Sequence, residues 1–341
     1  MTKVALHGAG MISMVHAASV KFLGYELTGV ASRTSARAEK VASMFDSRAT
    51  TYEALPEDAD IVVVSTPPNR HMADAIRMVN AGAAVLLEKP MCRTMYEADR
   101  IVDTAAAHGG RFAYGENLAY APVIQMMLGL APRVGRPTDL EVRALQGLPN
   151  WGAFTSDDWG GGALFDLGVH PLAVAMMLAA ASGEGPVVAV SCTLRGSERH
   201  RSDEHAEVRL HFGSGFTAKV VSSWQAGPEP MWDAQLAGHN GVLRAEIFPS
   251  PTLEHNGAPV QLPAPTGAMP LLEQLGFAAQ LEALVEAVRA RREPLMNAAF
   301  GREVLQIVLT AYTSAGRQGA RVPLPYAGAI DRTPLQLWHG D

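Results

Sequence analysis

Up to about residue 115, short β-rich runs alternate strictly with helical patterns, and no other feature narrows the possible folds as far. Lys3 to Leu6, Leu27 to Ala31, Ile61 to Val64, Val85 to Leu87 and Phe112 to Tyr114 read as strands. Between them, Met11 to Leu23, Ser35 to Phe45, Arg70 to Ala81 and Met95 to Ala107 carry apolar residues at three- and four-residue spacing, with Gly24, Gly82 and Gly109 as C-terminal stops. Strands separated by helices run back in the same direction, which builds a parallel, doubly wound sheet. Gly8-Ala9-Gly10-Met11-Ile12-Ser13 stands directly between the first strand and the first helix, the context a dinucleotide fingerprint needs. Gly8 allows the tight turn, Gly10 lets backbone approach a pyrophosphate, and the helix start at Met11 and Ile12 offers N–H groups and a positive dipole end. Ser13 replaces the third glycine but is small enough for close packing. Taken alone, the motif also reads as an ordinary strand-to-helix turn.

After about residue 118, strands follow strands. Ala206, Val208, Leu210 and Phe212 face one way while Glu207, Arg209 and His211 face the other, and the period of two resumes from Phe216 to Trp224 after Gly213-Ser214-Gly215. That is an antiparallel hairpin. Val187 to Leu194, Ala234 to Gly238 and Val242 to Ile247 add strands, the last two joined by an Asn-Gly turn at Asn240-Gly241. Helical patterns at Leu271 to Arg291 and Phe300 to Ala315 follow, then a short strand near Val322, while Pro249 to Pro270 reads as a long loop. The fold class is therefore α/β at the N-terminal end, followed by an α+β part with an open, mainly antiparallel sheet. The expected division is 1–118 and 119–341, in line with a length of 341 residues and a domain size of about 150.

Composition excludes several classes of function. A net charge of -6 with bases scattered along the chain leaves no electrostatic footprint for nucleic acid. The longest apolar run, Leu172 to Ala181, is far short of the roughly 18 to 20 residues that span a bilayer, so no membrane partner is expected. His7, Gly8 and Gly10 interrupt what would be the apolar core of a secretory signal, so the start reads as a strand of a mature chain. Cys92 and Cys192 show neither Cys-x-x-Cys nor Cys/His spacing, which argues against disulfides and structural zinc and fits a cytoplasmic setting. His200, Asp203, Glu204 and His205 are metal-ligand types, but their place before a clean amphipathic strand makes a solvated loop the expected reading, and no metal is expected.

At the end of the second strand, where an acid would hold the ribose hydroxyls of NAD, the chain reads Ala31-Ser32-Arg33-Thr34-Ser35, with no acid between Gly29 and Glu39. A hydroxyl beside a guanidinium suits a 2'-phosphate, so NADP is the preferred cofactor and NAD the second. Arg33 also reads as a surface arginine stacked on the adenine, which leaves the preference open.

Three further blocks follow in fixed order. Thr66-Pro67-Pro68-Asn69 with His71 comes after the strand at Ile61, Glu88-Lys89-Pro90 after the strand at Val85, and Gly160-Gly161-Gly162-Ala163-Leu164-Phe165-Asp166-Leu167-Gly168-Val169-His170 in the second half. Together they resemble the signature blocks of the Gfo/Idh/MocA oxidoreductases, a family that embraces glucose-fructose oxidoreductase, inositol dehydrogenases and sugar dehydrogenases. The resemblance implies an N-terminal Rossmann NAD(P)-binding domain and a C-terminal domain for substrate binding and oligomerisation. It implies a small polyhydroxylated substrate (a sugar, cyclitol or similar polyol), with the nicotinamide held between the parallel sheet's C-terminal edge and the second domain. The cofactor-binding residues expected are Gly8, Gly10, Met11, Ile12, Ser32, Arg33, Thr66, Pro67, Asn69, His71, Glu88, Lys89 and Asn117. Lys89, Asp166 and His170 match the family's catalytic group.

Chemistry agrees with that match. Oxidising a secondary alcohol needs a base for the hydroxyl proton and a cation for the developing alkoxide, roles that suit His170 and Lys89. Asp166 precedes His170 by four residues, so on a continuous helix the two share a face; Pro171 must either kink that helix or begin it, and if it begins it the shared face is lost. Taken singly, Lys89 reads as a surface lysine, His170 as a core histidine, Asp166 as a helix cap, and Asn117 as a helix N-cap ahead of Tyr120. Trp151-Gly152 stands where some relatives carry Trp-Arg, so any contact made by that arginine is missing. Two rival readings remain, an NAD-dependent glycosidase of the same fold and a nucleotide-binding regulator without turnover. Val187-Val188-Ala189-Val190 is apolar on both faces of its strand, which, with the open sheet of similar proteins, points to a homodimer or homotetramer.

Overall fold

The computed structural model describes residues 1–55, 59–227 and 229–341. It contains two compact units, one made of Met1–Cys92, Tyr96–Tyr120 and Pro265–Arg302, the other of Arg93–Met95, Ala121–Ala264 and Glu303–Asp341.

In the first unit, β1 (Lys3–His7), β2 (Glu26–Ala31), β3 (Ala49–Thr50), β4 (Ile61–Val64), β5 (Ala84–Glu88) and β6 (Phe112–Gly115) form a sheet in the order β3-β2-β1-β4-β5-β6. Every pairing is parallel. The helices α1 (Met11–Phe22), α2 (Ser35–Met44), α3 (Pro68–Asn80) and α4 (Met95–Ala107) alternate with the strands, as the sequence pattern requires. Val62, Val63, Val85 and Leu86 are wholly enclosed, which suits strands covered on both faces. The strand order reverses between β1 and β4, and the crevice beyond the strand ends at such a point is where ligands of open α/β sheets bind. β3 has two residues, too few to show a period.

One helix joins this sheet from far along the chain. α9 (Phe277–Arg289) packs on α1 and inserts Leu281, Leu284 and Val285 into the apolar cluster of Val4, Leu6, Ala17 and Val20. The single helix expected from 271 to 291 is two, because Gly276 takes φ +77° and ends α8 (Pro270–Gln274) before α9 begins. A residue in that left-handed region cannot continue a right-handed helix.

The second unit is built on nine strands: β7 (Pro137–Leu145), β8 (Val187–Gly196), β9 (Asp203–Phe212), β10 (Thr217–Ser223), β11 (Met231–Gly238), β12 (Gly241–Phe248), β13 (Thr252–His255), β14 (Ala258–Pro259) and β15 (Val322–Pro323). Their order is β14-β13-β12-β11-β7-β10-β9-β8-β15. All pairings are antiparallel except β7 with β10. The expected β9–β10 hairpin and the Asn240-Gly241 turn between β11 and β12 are both present. α7 (Val169–Ala181) lies on β7 and β10, and α5 (Pro122–Leu130) packs on α7 and β12. The other face is charged, with Lys219 3.1 Å from Glu141 and Arg143 2.6 Å from Asp233. β7, at the centre of the sheet, is absent from the sequence reading: its inward Leu140, Val142 and Ala144 are separated by Glu141 and Arg143, which an open sheet tolerates on its uncovered face. Likewise, the loop expected from 249 to 270 contains β13 and β14. The remaining helices are α6 (Ala163–Asp166), α10 (Ala298–Gly316) and α11 (Pro334–His339).

If α9 completes the first unit's core, Leu284→Ala should lower the unfolding free energy by about 3 kcal/mol, because the enclosed side chain leaves a cavity. Leu271→Ala, at a half-exposed position in α8, should change it by under about 0.5 kcal/mol. Urea unfolding of the two variants measures the contrast.

Candidate active site

The turn after β1 is shaped by the absence of side chains. Gly8 takes φ +139°, and a β-carbon there would lie 2.6 Å from Ser65 Oγ and 2.8 Å from the Ser65 carbonyl oxygen. Gly10 has the opposite property: a β-carbon on it would meet nothing within 4 Å, so open space faces the start of α1. Ser13, fully enclosed, accepts the Gly10 N–H at 3.1 Å and shares a hydrogen bond with Ser65 Oγ at 2.8 Å. The hydroxyl that replaces the third glycine thus ties the turn to the end of β4. The N–H groups of Met11 and Ile12, in the first turn of α1, have no intrahelical acceptor. Open space, free N–H groups and a helix N-terminus fit a dinucleotide pyrophosphate. At the end of β2, Ser32 is half-buried and Arg33 exposed.

Behind this turn lies a buried polar cluster. Asp74 of α3 accepts hydrogen bonds from Thr66 Oγ1 at 2.9 Å and from Arg70 at 2.9 and 3.2 Å. His7 stacks on Tyr52 with ring centroids 4.1 Å apart and lies 3.8 Å from Asp74. Burial pushes its pKa down to about 4, opposed by the Asp74 charge and reinforced by Arg77. His71 is enclosed, with Nδ1 2.9 Å from the Pro90 carbonyl oxygen and Nε2 2.6 Å from that of Thr66. It therefore joins the loop at Thr66 to the turn at Pro90, while burial lowers its pKa. Pro67 and Asn69, beside it, are exposed.

Glu88 ends β5 with one carboxylate oxygen 2.6 Å from His16 Nε2 and the other accepting the Lys89 N–H at 3.1 Å. This fixes the backbone at Lys89, whose side chain is half-buried. Asn117 opens a short 3-10 turn after β6 and donates its amide N–H to the Leu275 carbonyl at 2.7 Å.

In the second unit, Gly160, Gly161 and Gly162 lead into α6. Gly160 takes φ +100°; β-carbons on Gly161 and Gly162 would lie 2.2 Å from Phe165 Cβ and 2.2 Å from the Asp203 carbonyl oxygen. Asp166 ends α6 and His170 is the second residue of α7, with Leu167-Gly168 between the helices. Pro171 thus sits in the first turn of α7, where its missing N–H costs no intrahelical bond. The continuous helical face for Asp166 and His170 is therefore not formed. Both are nearly enclosed, at 6% and 5% exposure. The His170 ring lies 5.5 Å from the ring of Trp232, which packs against the buried cluster of Ala144, Ala163, Leu167 and Trp224.

Residues 2–116 match the family model described as oxidoreductase family, NAD-binding Rossmann fold, and residues 131–244 match the GFO/IDH/MocA C-terminal domain. The chain belongs to the Gfo/Idh/MocA oxidoreductase family. D-glucoside 3-dehydrogenase of Escherichia coli (strain K12) is 32% identical over 187 residues, 51% of this chain and 53% of that enzyme, so the chain spans about half the length of this relative. dTDP-3,4-didehydro-2,6-dideoxy-alpha-D-glucose 3-reductase of Streptomyces violaceoruber is 29% identical over 283 residues, 77% of this chain and 78% of that one. GenD2 from gentamicin A biosynthesis, crystallised in complex with NAD, shares the fold with a TM-score of 0.84 at 24% identity, over 95% of this chain and 97% of that chain.

Within the Gfo/Idh/MocA frame, the expected site residues divide between the units. Gly8, Gly10, Met11, Ile12, Ser32, Arg33, Thr66, Pro67, Asn69, His71, Glu88, Lys89 and Asn117 belong to the first, Asp166 and His170 to the second. His16, whose apolar helical surroundings give no hint of Glu88, and Trp232, at the start of a strand, carry no local signal in the sequence. Asp203, expected in a solvated loop from its charged neighbours, is instead wholly enclosed at the start of β9. Its carboxylate accepts the Leu164 N–H at 2.8 Å and the Tyr312 hydroxyl proton. Burial pushes the Asp203 pKa up to about 6, and those hydrogen bonds oppose the rise. Among the described residues, no cluster of three or more His, Cys, Asp or Glu side chains has metal-holding geometry.

His7 and Asp203 bias stability in opposite directions. His7 binds its proton less readily in the fold than its ordinary value of 6.5 implies, so its contribution is lost as pH falls from about 6.5 to 4. Asp203 binds its proton more readily than the ordinary 3.8, so its contribution is present below that value and lost as pH rises to about 6. Each effect is about 3 kcal/mol over the full window. Relative to wild type, His7→Gln should become more destabilising from pH 4 to 6.5 and Asp203→Asn less so. Urea unfolding at half-unit pH steps reads both slopes, and parallel slopes would contradict the assignment.

Proposed function

We propose that the chain is an NAD(P)-dependent dehydrogenase or reductase that interconverts a secondary alcohol and a ketone on a sugar, cyclitol or similar polyol, with NADP(H) preferred. The observation that carries the reading is that Lys89, Asp166 and His170 stand inside two segments that both match the family, the first of which also contains the dinucleotide turn at Gly8–Ile12. The two relatives named above act at carbon 3 by their names, which makes the 3-hydroxyl of a hexopyranoside the first substrate to try.

In this reading the N–H groups at Met11 and Ile12 hold the pyrophosphate, while Ser32 and Arg33 take the 2'-phosphate. The nicotinamide, when bound, supplies the hydride acceptor in oxidation and the donor in reduction. His170 removes the hydroxyl proton as the carbon is oxidised and returns it to the oxygen in the reverse direction. The Lys89 ammonium stabilises the negative charge that develops on that oxygen, and Asp166 hydrogen-bonds to substrate or to the base. The chain assembles as a homodimer or homotetramer through the open sheet of its second unit, since Val187, Ala189 and Val190 are already buried within the chain itself.

Arg33→Ala should weaken NADPH binding about 10-fold and leave NADH within twofold, because a charge-assisted bond to the 2'-phosphate is lost. Calorimetric titration decides it, and equal affinities of wild type for the two cofactors would refute the preference. His170→Ala should lower kcat roughly 100- to 10,000-fold on any accepted sugar while the cofactor Kd stays within twofold. A His170→Ala variant with near-normal turnover would overturn the mechanism, and a wild type that hydrolyses a glycoside with no net change in cofactor absorbance would overturn the dehydrogenase reading.

A further inference from the structure

The segment that carries Asp166 and His170 has no cap of its own. α6 is four residues long and its N-cap is Gly162, which has no side chain to accept the orphan N–H groups. Two distant elements accept them instead. Asp203, at the start of β9, accepts the Leu164 N–H at 2.8 Å, and Tyr312 of α10 accepts the Gly162 N–H at 2.9 Å while donating its hydroxyl to Asp203. Both side chains are wholly enclosed. The C-terminal helix α11 adds a third tie, as its Leu335 N–H donates to the Gly160 carbonyl at 3.0 Å.

This anchor is stiffly connected to the acid and the histidine. The Asp166 N–H bonds to the Gly162 carbonyl at 2.9 Å, and the Gly168 N–H bonds to that of Ala163 at 2.9 Å. Gly168 is hemmed in, since a β-carbon there would lie 2.6 Å from the Leu164 carbonyl oxygen and 2.8 Å from Ser222 Oγ. The His170 N–H then bonds to the Leu167 carbonyl at 3.3 Å. A shift of Gly162 or Leu164 is therefore passed along the backbone to Asp166 and His170.

A buried carboxylate is a poor choice for stability alone, because an apolar side chain of equal volume fills the same space without desolvating a charge. What the carboxylate and phenol supply is direction, through hydrogen bonds that fix two backbone N–H vectors. We infer that Asp203 and Tyr312 are positioning residues that set the placement of Asp166 and His170 for catalysis, and this inference rests on the oxidoreductase reading of those two residues.

Tyr312→Phe is the sharpest probe, since it deletes one oxygen, keeps the ring, and leaves the Gly162 N–H without its acceptor. Amide hydrogen exchange by mass spectrometry should accelerate at least 10-fold in peptides covering 160–172 and stay unchanged in peptides from β1 to β6 and from β11 and β12. With methyl α-D-glucopyranoside and then a panel of other sugars and inositols, kcat per cofactor-binding site should fall about 10-fold or more at unchanged cofactor Kd. Asp203→Asn, which keeps the shape and removes the charge, should do the same and serves in its place if Tyr312→Phe does not fold. Unchanged exchange at 160–172, acceleration spread evenly over the second unit, or kcat within twofold of wild type would each overturn the inference. A wild type that turns over none of the panel with either cofactor counts against the oxidoreductase reading, and the exchange pattern then decides the anchoring by itself.

Discussion

Backbone occupies the space of missing side chains at two turns, and both candidate sites depend on it. At Gly8 the carbonyl and hydroxyl of Ser65 stand where a β-carbon would be, so the chain leaves β1 close enough to β4 for the helix start to face open space at Gly10. At Gly161 and Gly162 the obstruction is Phe165 and the backbone of Asp203. A methyl group at either position would have to displace a strand end or a helix rather than a flexible side-chain tip, so neither turn can relax locally. Each fixes the direction in which a short run of N–H groups points.

The parallel sheet was legible because fully covered strands must be apolar throughout and because their helices show an uninterrupted period. Ile61–Val64 and Ala84–Glu88 allow little else. Legibility fell where one face of a strand is uncovered. β7 is the central strand of its sheet, yet Asp139, Glu141 and Arg143 on its open face dilute the apolar signal to alternate positions, too weak to mark a strand. α8 and α9 merged in the sequence for a different reason: the apolar spacing runs on across Gly276, and only the left-handed φ there separates the helices.

Site residues divided in a similar way. Those that belong to a local motif, such as Gly8, Gly10, Lys89 and His170, are visible in one dimension. Those whose role is to hold another residue are not, because their partner is remote in sequence: His16 is 72 residues from Glu88 and Tyr312 is 150 from Gly162. Composition misleads further at Asp203, where a run of charged neighbours suggests solvent around a side chain that is wholly enclosed. Pro171 shows how a residue that permits two structures is resolved by its surroundings. α6 ends at Asp166 and α7 starts at Val169, so the proline falls in the first turn of a new helix, where it breaks no intrahelical bond, instead of bending a continuous one.

The two turns solve their capping problem with different chemistry, and the difference bears on what each can bind. At the first, a neutral hydroxyl, Ser13, accepts the Gly10 N–H, and those of Met11 and Ile12 have no intrahelical acceptor. A carboxylate in that place would repel a pyrophosphate. At the second, a carboxylate does sit against the helix start, and with Tyr312 it consumes the N–H groups of Gly162 and Leu164. Negative charge already fills the position that a phosphate would need. The N-terminus of α6 is therefore closed to anionic ligands, and any phosphate on a nucleotide-linked sugar must be held elsewhere. Near His170 the neighbouring ring of Trp232 adds apolar surface rather than charge.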